Sequence, residues 1–203
     1  DFRRHDWEQI HDFYSKYQGE HDIAWLNFLR GDYPDYPKEI LQHNLKQTYT
    51  RMKQMREDRE PMEEYNDAYL QKRNPITIEG LIQLTMGGPL PIYNGGLLAV
   101  SVCYLDPERK RPGLPEDVAA LVTSIKGEEI LLELHNLNQA KSRTLFLQAG
   151  AFSEHSFKTI EADGTIRPIN DCRFTVKLPA GSEISMKLQM DRYCNKPTYE
   201  RPV

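Results

Sequence analysis

The sequence has few cysteines, no excess of basic residues and no long apolar run. Its three cysteines, Cys103, Cys172 and Cys194, are too few and too scattered for a disulfide scaffold or a four-ligand zinc site. The formal net charge of −4 provides no positive excess to displace counterions from nucleic acid. No apolar stretch approaches the roughly 20 residues that a membrane-spanning helix needs. We therefore expect a soluble globular protein with neither nucleic acid nor membrane as a partner.

The amino-acid composition changes near Asn74-Pro75. The upstream segment has no valine but contains both tryptophans and seven of the eleven tyrosines. The downstream segment contains all six valines and ten of the twelve glycines. Valine favours strands, and glycine marks turns. We predict an α+β fold with three parts: a helical segment (1–73), an antiparallel β-sandwich (74–190) and a C-terminal tail lying on another element (191–203).

Four helices are predicted in the first segment from apolar residues at helical spacing. The first carries Trp7 to Tyr17, and the second runs from Asp22, a candidate cap, to Gly31. Pro37 and Pro61 are predicted to open the third and fourth helices. Each helix has one apolar face that must be covered. The stripe of the third helix consists of Leu41, Leu45, Thr48, Tyr49, Met52 and Met55.

Short apolar runs separated by turn residues predict the strands of the second segment. Gly127-Glu128 and Asp163-Gly164 have the composition of hairpin turns. The frequent turns and the lack of interleaved helices favour a sandwich over a parallel sheet. The predicted strands are 76–78, 81–84, 97–104, 118–125, 130–137, 144–148, 155–160, 174–178 and 184–190.

The loop at residues 87–96 has two glycine pairs around a Pro-Leu-Pro core. Glycines allow close backbone approach, Tyr93 could stack on a ligand, and Asn94 could supply a bidentate amide. No phosphate-loop motif is present. Turn chemistry alone also explains the loop, and we prefer that interpretation, while keeping Tyr93 and Asn94 as candidate ligand-binding residues.

Two histidines lie near predicted strand ends. His135 and Asn136 end one strand, and His155 begins another. A histidine beside amides can orient a sugar or act as an acid or base, so all three are candidate ligand-binding residues. The simpler alternative is a solvated hairpin end. No nucleophile or paired carboxylate can be placed beside either histidine, so no catalytic residue is assigned and it stays open whether the chain is an enzyme.

Three His-Asp dipeptides suggest a metal-dependent phosphohydrolase at first sight. They are His5-Asp6, His11-Asp12 and His21-Asp22. Such a site needs ligands that converge from several helices, whereas adjacent residues of one helix do not share a face. Helix capping is the simpler explanation, so we expect no metal and no cofactor.

A helical run that leads directly into a β-sandwich resembles the C-terminal part of multi-domain carbohydrate-active enzymes. The resemblance rests on the aromatic helices from Trp7 to Tyr69, the junction Arg73-Asn74-Pro75, and the strand end Leu132-Glu133-Leu134-His135-Asn136-Leu137. In those enzymes a toroid of helical hairpins precedes the sandwich and usually holds the catalytic groups. A complete toroid needs about a dozen helices, and the four predicted here cannot form one, so the resemblance is one of layout and brings no catalytic residue.

Three functions are therefore considered, of which the third, a complete small hydrolase that uses His135 or His155, ranks lowest. The first is a C-terminal accessory and substrate-contacting region of a larger glycoside hydrolase or lyase-like protein, with a carbohydrate ligand and an upstream domain or partner chain as its packing surface. The second is a non-catalytic protein-interaction or dimerisation module. Because the chain starts at Asp1 rather than at methionine, we interpret this end as a processing site or a fragment boundary.

Overall fold

The computed structural model describes residues 20–66, 68–69, 73–75, 79–89 and 99–200. Within these ranges, the residues up to Leu81 and those from Ile82 onward form two compact units. The first unit is helical, and the second consists mainly of two antiparallel sheets, so the predicted α+β fold is confirmed. The predicted segment boundaries at 73/74 and 190/191 stay predictions. No helix within the described ranges combines the length and apolar character needed to cross a bilayer.

Two helices dominate the first unit. Helix α1 spans Glu20–Arg30 and helix α2 spans Tyr36–Glu57. Gly31 ends α1 with a φ of +85°, a conformation that glycine adopts without steric cost. Pro37 lies in the first turn of α2, where its missing N–H costs nothing. These two elements confirm the predicted second and third helices.

The structure does not confirm the first predicted helix, the Asp22 cap or the full fourth helix. The helix predicted around Trp7 lies outside the described residues. Asp22 lies inside α1 and does not cap it. Where a fourth helix was predicted after Pro61, Met62–Glu64 form a three-residue 3-10 turn followed by an extended Tyr65. Of the described residues that follow, Ala68, Tyr69 and Arg73 are helical.

Between the two long helices and the sandwich, the structure differs from the sequence prediction. Glu79–Leu81 form a helical turn, and Ile82–Met86 continue as a π-helical segment. The strand predicted for 81–84 is therefore wrong. A short apolar run does not distinguish a strand from a buried helical turn, and Ile82, Gln83 and Leu84 are buried in helical form. The strand predicted at 76–78 lies outside the described residues.

The second unit is a β-sandwich of nine strands within its described part. One sheet has the order β2-β1-β5-β8 and the other has the order β3-β4-β9-β6-β7, and all pairs are antiparallel. The strands are β1 (Val102–Asp106), β2 (Arg111–Pro112), β3 (Val118–Lys126), β4 (Glu129–Asn136), β5 (Arg143–Ala149), β6 (Ser156–Ala162), β7 (Thr165–Asp171), β8 (Arg173–Leu178) and β9 (Glu183–Asp191).

The core lies between the sheets because alternate residues of each strand point inward. On β4, Ile130, Leu132 and Leu134 are fully buried, while the intervening residues are more exposed. The register pairs Leu132 with Met186 of β9, so the inner faces of neighbouring strands coincide. The core is built from these and further residues of both sheets, among them Val102, Tyr104, Val122, Leu145, Leu147, Phe157, Val176, Leu188 and Met190.

Two hairpins confirm the turn predictions. Gly127 has a φ of +59° in the two-residue connection between β3 and β4. Asp163 and Gly164 both have positive φ, at 50° and 70°, between β6 and β7. Positive φ at these positions matches the twist of the flanking strands. β7 and the short β2 were not predicted.

Candidate functional site

A concave groove of about 490 Å³ opens beside β1, and we call it the outer groove. Its volume lies within the range of roughly 300–1,000 Å³ that is typical of small-molecule sites. Apolar and aromatic side chains form most of its wall. Its lining residues are Thr85, Met86, Cys103, Tyr104, Leu105, Pro112, Gly113, Leu114, Gln148, Ala151, Phe152, Thr198, Tyr199 and Glu200.

Part of the floor is a row of residues across three strands. Cys103 of β1 pairs with Gln148 of β5, and Gln148 pairs with Arg173 of β8. Their inward-facing neighbours, such as Leu147, belong to the sandwich core. Because side chains alternate along a strand, this row lies on the outer face of the four-stranded sheet.

Arg173 fixes the shape of this floor. Its Nε donates to Oε1 of Gln148 at 2.9 Å, and its Nη2 donates to Oγ of Ser153 at 2.8 Å and to the carbonyl of Glu200 at 2.6 Å. The Gln148 amide nitrogen donates in turn to the carbonyl of Ala151 at 2.9 Å. One guanidinium therefore connects β5, the loop at 150–153 and the C-terminal tail.

The loop at 150–153 is held by a carboxylate that folds back over it. Glu154 is 4% exposed, and its two oxygens accept the backbone N–H groups of Ala151 at 3.2 Å and Phe152 at 2.7 Å. Gly150 has a φ of +80°, and a Cβ at that position would collide with the Glu154 carboxylate. The loop can take this path only with glycine at position 150, and it thereby presents Phe152 to the groove.

Phe152 and Tyr199 form an aromatic pair at the groove. Their ring centroids are 5.2 Å apart at an interplanar angle of 66°. The backbone N–H of Thr198 donates to the carbonyl of Phe152 at 2.8 Å, which fastens the tail beside the loop. Tyr199 is 85% exposed, so its ring is available to a ligand. An exposed ring beside an apolar wall is suited to stacking on the apolar face of a sugar.

The described groove lining contains few acidic or basic side chains. Desolvation, helped by the nearby Glu154 charge, raises the pKa of the Cys103 thiol to about 12, so the thiol stays protonated and is a poor nucleophile at neutral pH. Among the described lining residues, Glu200 is the one acidic residue and there is no histidine. Glycoside hydrolysis ordinarily needs two carboxyl groups on either side of the bond. Across the described ranges, no cluster of His, Cys, Asp and Glu is arranged to hold a metal ion.

Tyr93 and Asn94 lie outside the described residues. The two roots of their loop are described, and both lie beside the loop at 150–154. The Ser101 hydroxyl donates to the carbonyl of Gly87 at 3.2 Å, and the Ser101 carbonyl accepts the N–H of Gly150 at 3.0 Å. The chain thus leaves and re-enters the sandwich next to one wall of the outer groove.

The structure does not bring His135 and His155 together. His135 pairs with Glu183 at the start of β9, whereas Ser156, next to His155, pairs with Asp191 at the end of the same strand. At about 3.3 Å per residue, these positions are roughly 26 Å apart. The two histidines therefore lie at opposite ends of the five-stranded sheet and cannot share one small ligand.

Asn136 and His155 have structural partners. Asn136 is 2% exposed, and its amide nitrogen donates to the carbonyls of Lys141 at 2.8 Å and Pro179 at 2.8 Å. His155 is fully buried, and its Nδ1 accepts the N–H of Tyr193 at 2.8 Å. Neither side chain offers an exposed polar atom to a ligand.

His135 is the accessible member of the group. Its Nδ1 lies 3.2 Å from Oε2 of Glu183, and its Nε2 lies 3.9 Å from Oε2 of Glu133. All three side chains are on the outer face of the five-stranded sheet, away from the outer groove. His135 stays a predicted ligand contact at a different surface.

Sequence reasoning missed Phe152 and Tyr199. They are 47 positions apart, and the tail brings them together. The one available signal was the prediction that the tail lies on another element. Asn195 shows how firmly it does so, because its amide nitrogen donates to the carbonyl of His155 at 2.9 Å and to that of Ser153 at 3.1 Å.

Comparisons with known proteins cover only part of the chain. Residues 1–82 match the family model described as Domain of unknown function (DUF8034). That match includes the helical unit and none of the nine strands. No protein with a curated description matches this chain significantly.

One solved structure is similar over a limited region. It is a Bacillus halodurans C-125 protein described as a candidate alpha-N-acetylgalactosaminidase, with 17% sequence identity and a TM-score of 0.33. The alignment covers 38% of this chain and 19% of the other. A similarity at this level supports no conclusion about activity or ligand.

Proposed function

We propose that this chain is an accessory and substrate-contacting region of a larger carbohydrate-processing protein, such as a glycoside hydrolase or lyase, and that it does not itself carry the full catalytic site. The observation that carries the proposal is the Phe152–Tyr199 pair at the edge of the outer groove. Flat rings supply large contact area at low conformational cost, and sugars present apolar C–H faces to them. The proposed role of the sandwich is to hold this surface.

Preorganisation supports the same role. Arg173 and Glu154 fix the loop and the tail before any ligand arrives. A ligand would then order few protein groups on binding, which lowers the entropic cost of association. The protonated Cys103 thiol and the single groove carboxylate, Glu200, give the described site no acid–base pair.

Of the residues proposed from sequence, Tyr93 and Asn94 stay proposed ligand contacts, because the roots of their loop adjoin the groove wall. His135 is proposed only for a second contact surface. Asn136 and His155 are proposed to support the fold around these surfaces.

The proposal is tested on a glycan array, followed by calorimetry with the glycans that bind. Wild-type protein should bind at least one oligosaccharide, and Tyr199→Ala should weaken that binding about tenfold, since stacking on one ring contributes about 1.4 kcal/mol. Tyr49→Ala, which removes another exposed tyrosine outside the groove, is the matched control and should bind normally. Absence of any glycan binding, or equal affinity for Tyr199→Ala, contradicts the proposal.

A further inference from the structure

One mixed apolar and polar face of helix α2 is packed within the helical unit. Its buried residues are Tyr36, Ile40, Asn44, Gln47 and Arg51. Nη1 of Arg51 donates to the carbonyl of Asn74 at 3.0 Å, and the Thr48 hydroxyl donates to the carbonyl of Pro75 at 3.2 Å. The segment 73–75 therefore covers this side of the helix through hydrogen bonds.

The apolar stripe predicted from the sequence is largely on the outside. Leu41, Leu45 and Tyr49 are 42%, 55% and 65% exposed. They recur every fourth residue, so they form one line on the helix surface, and we call this line the α2 ridge. Met55, at 49% exposure, lies about 120° around the helix from Tyr49 and is not part of this line. From Leu41 to Tyr49 the α2 ridge is about 12 Å long.

Basic residues lie along one side of the ridge and beyond its two ends. At about 100° per residue, Lys46 and Lys53 lie along one side, while Lys38 and Arg56 lie near its two ends. All four are exposed, and we call them the basic rim. Two acidic residues of α2 lie on the same side of the helix as the basic rim: Glu57 is 3.9 Å from Lys53, and Glu39 accepts a hydrogen bond from the Tyr33 hydroxyl at 2.6 Å. The four basic residues outnumber these two carboxylates, and an exposed apolar line beside a net basic charge is typical of a binding helix rather than a solvated face.

We infer that the α2 ridge docks an acidic amphipathic helix of a partner protein. Leucine-like side chains of that helix would pack on Leu41, Leu45 and Tyr49, and its flanking carboxylates would pair with the basic rim. We choose an acidic helix as the partner because its carboxylates complement the charge of the basic rim. A second copy of the chain would place one basic rim against another, which is unfavourable.

The shape of the face argues for a helix over an anionic membrane. An interfacial helix buries a broad apolar face in the lipid. Here the α2 ridge is a single line, and the side of α2 bearing Thr48 and Arg51 already bonds to segment 73–75. The exposed sector is wide enough for one packed helix.

The test uses the full chain and a labelled synthetic helix with leucines on one face and glutamates on both flanks. Its counterpart with lysines on the flanks is the control probe. In fluorescence anisotropy at low salt, wild-type protein should prefer the acidic probe by about tenfold or more, and salt should weaken this binding. The variant Leu45→Glu/Tyr49→Glu should lose it, and Lys46→Glu/Lys53→Glu should shift the preference toward the basic probe.

Several results would overturn the inference. If the acidic and basic probes bind with equal affinity, or if neither binds, the α2 ridge does not recognise an acidic helix. Stronger binding to phosphatidylcholine vesicles containing phosphatidylserine would identify a membrane surface, and a dimer dissociated by Leu45→Glu/Tyr49→Glu would identify a second copy. A lower melting temperature of that variant without probe would show that the chain itself covers the ridge.

Discussion

The guanidinium of Arg173 and the side-chain amide of Gln148 are joined by a hydrogen bond of 2.9 Å, with Cys103 on the opposite side of Gln148 in the same row. Arg173 also holds the tail through the carbonyl of Glu200. The floor of the outer groove and the tail that carries Tyr199 are therefore parts of one hydrogen-bonded arrangement.

Replacing Arg173 should release the tail. Arg173→Ala removes the bonds to Gln148, Ser153 and Glu200, and we expect a loss of about 1–2 kcal/mol in the free energy of unfolding because the site is partly exposed. Hydrogen–deuterium exchange should accelerate at residues 195–200. Lys177→Ala, on the same strand and exposed, serves as the control. Unchanged exchange of the tail would show that Arg173 does not hold it.

Asn136 should matter for stability and not for a surface ligand. Asn136→Ala leaves the carbonyls of Lys141 and Pro179 without their side-chain donor in a buried position. We expect urea denaturation to report a loss of about 2–3 kcal/mol. The adjacent His135→Ala changes a half-exposed side chain and should stay within about 0.5 kcal/mol. Equal effects of the two variants would contradict this assignment.

The stability of the protein should fall in mild acid through His155. Burial lowers the pKa of His155 below its ordinary value; nearby Arg192 lowers it further, while Glu154 opposes the shift. The backbone N–H of Tyr193 occupies Nδ1, so protonation there would break a hydrogen bond. Between the folded pKa and about 6.5 the unfolded chain binds a proton that the folded chain does not, so the free energy of unfolding decreases as pH falls through this window.

Urea denaturation between pH 5 and 8 measures this dependence. The slope of stability against pH should be shallower in His155→Gln, which keeps an acceptor and cannot titrate, than in the wild type. An identical slope for His155→Gln and wild type would rule out His155 as the source.

Gly150 should tolerate no side chain. Gly150→Ala places a methyl group against the Glu154 carboxylate and forces a non-glycine residue to a φ of +80°. We expect a loss of about 1–3 kcal/mol together with weaker glycan binding, because Phe152 follows two residues later. Gly164→Ala, where a Cβ meets open space at a φ of +70°, separates the backbone effect from the collision. Thermal unfolding of the two variants provides the comparison.

The sandwich was predictable where strands alternate and turns are short. β4 shows this, because its inward leucines and the Gly127 turn appear directly in the sequence. β7 was missed for a physical reason. It is an edge strand whose residues are mostly exposed and which contains Pro168, so it lacks the alternation that identifies a half-buried strand.

The buried and exposed faces of α2 and the existence of the outer groove were harder to predict from the sequence. Periodicity correctly placed Leu41, Leu45 and Tyr49 on one face, but the helical unit buries the face that carries Asn44 and Arg51, where Arg51 donates to the carbonyl of Asn74. The groove depends on a tail that returns to the loop at 150–153. Contacts between such distant positions follow from tertiary packing and leave no local pattern.

Chemical-shift mapping of a glycan identified on the array tests the central claim most directly. Titration of the isotope-labelled 203-residue chain should perturb the backbone amides of Cys103, Gln148, Phe152 and Tyr199 together, and Tyr199→Ala should need about tenfold more glycan for the same perturbations. Perturbations confined to the His135 face of the five-stranded sheet, or none at saturating glycan, would contradict a carbohydrate-binding outer groove.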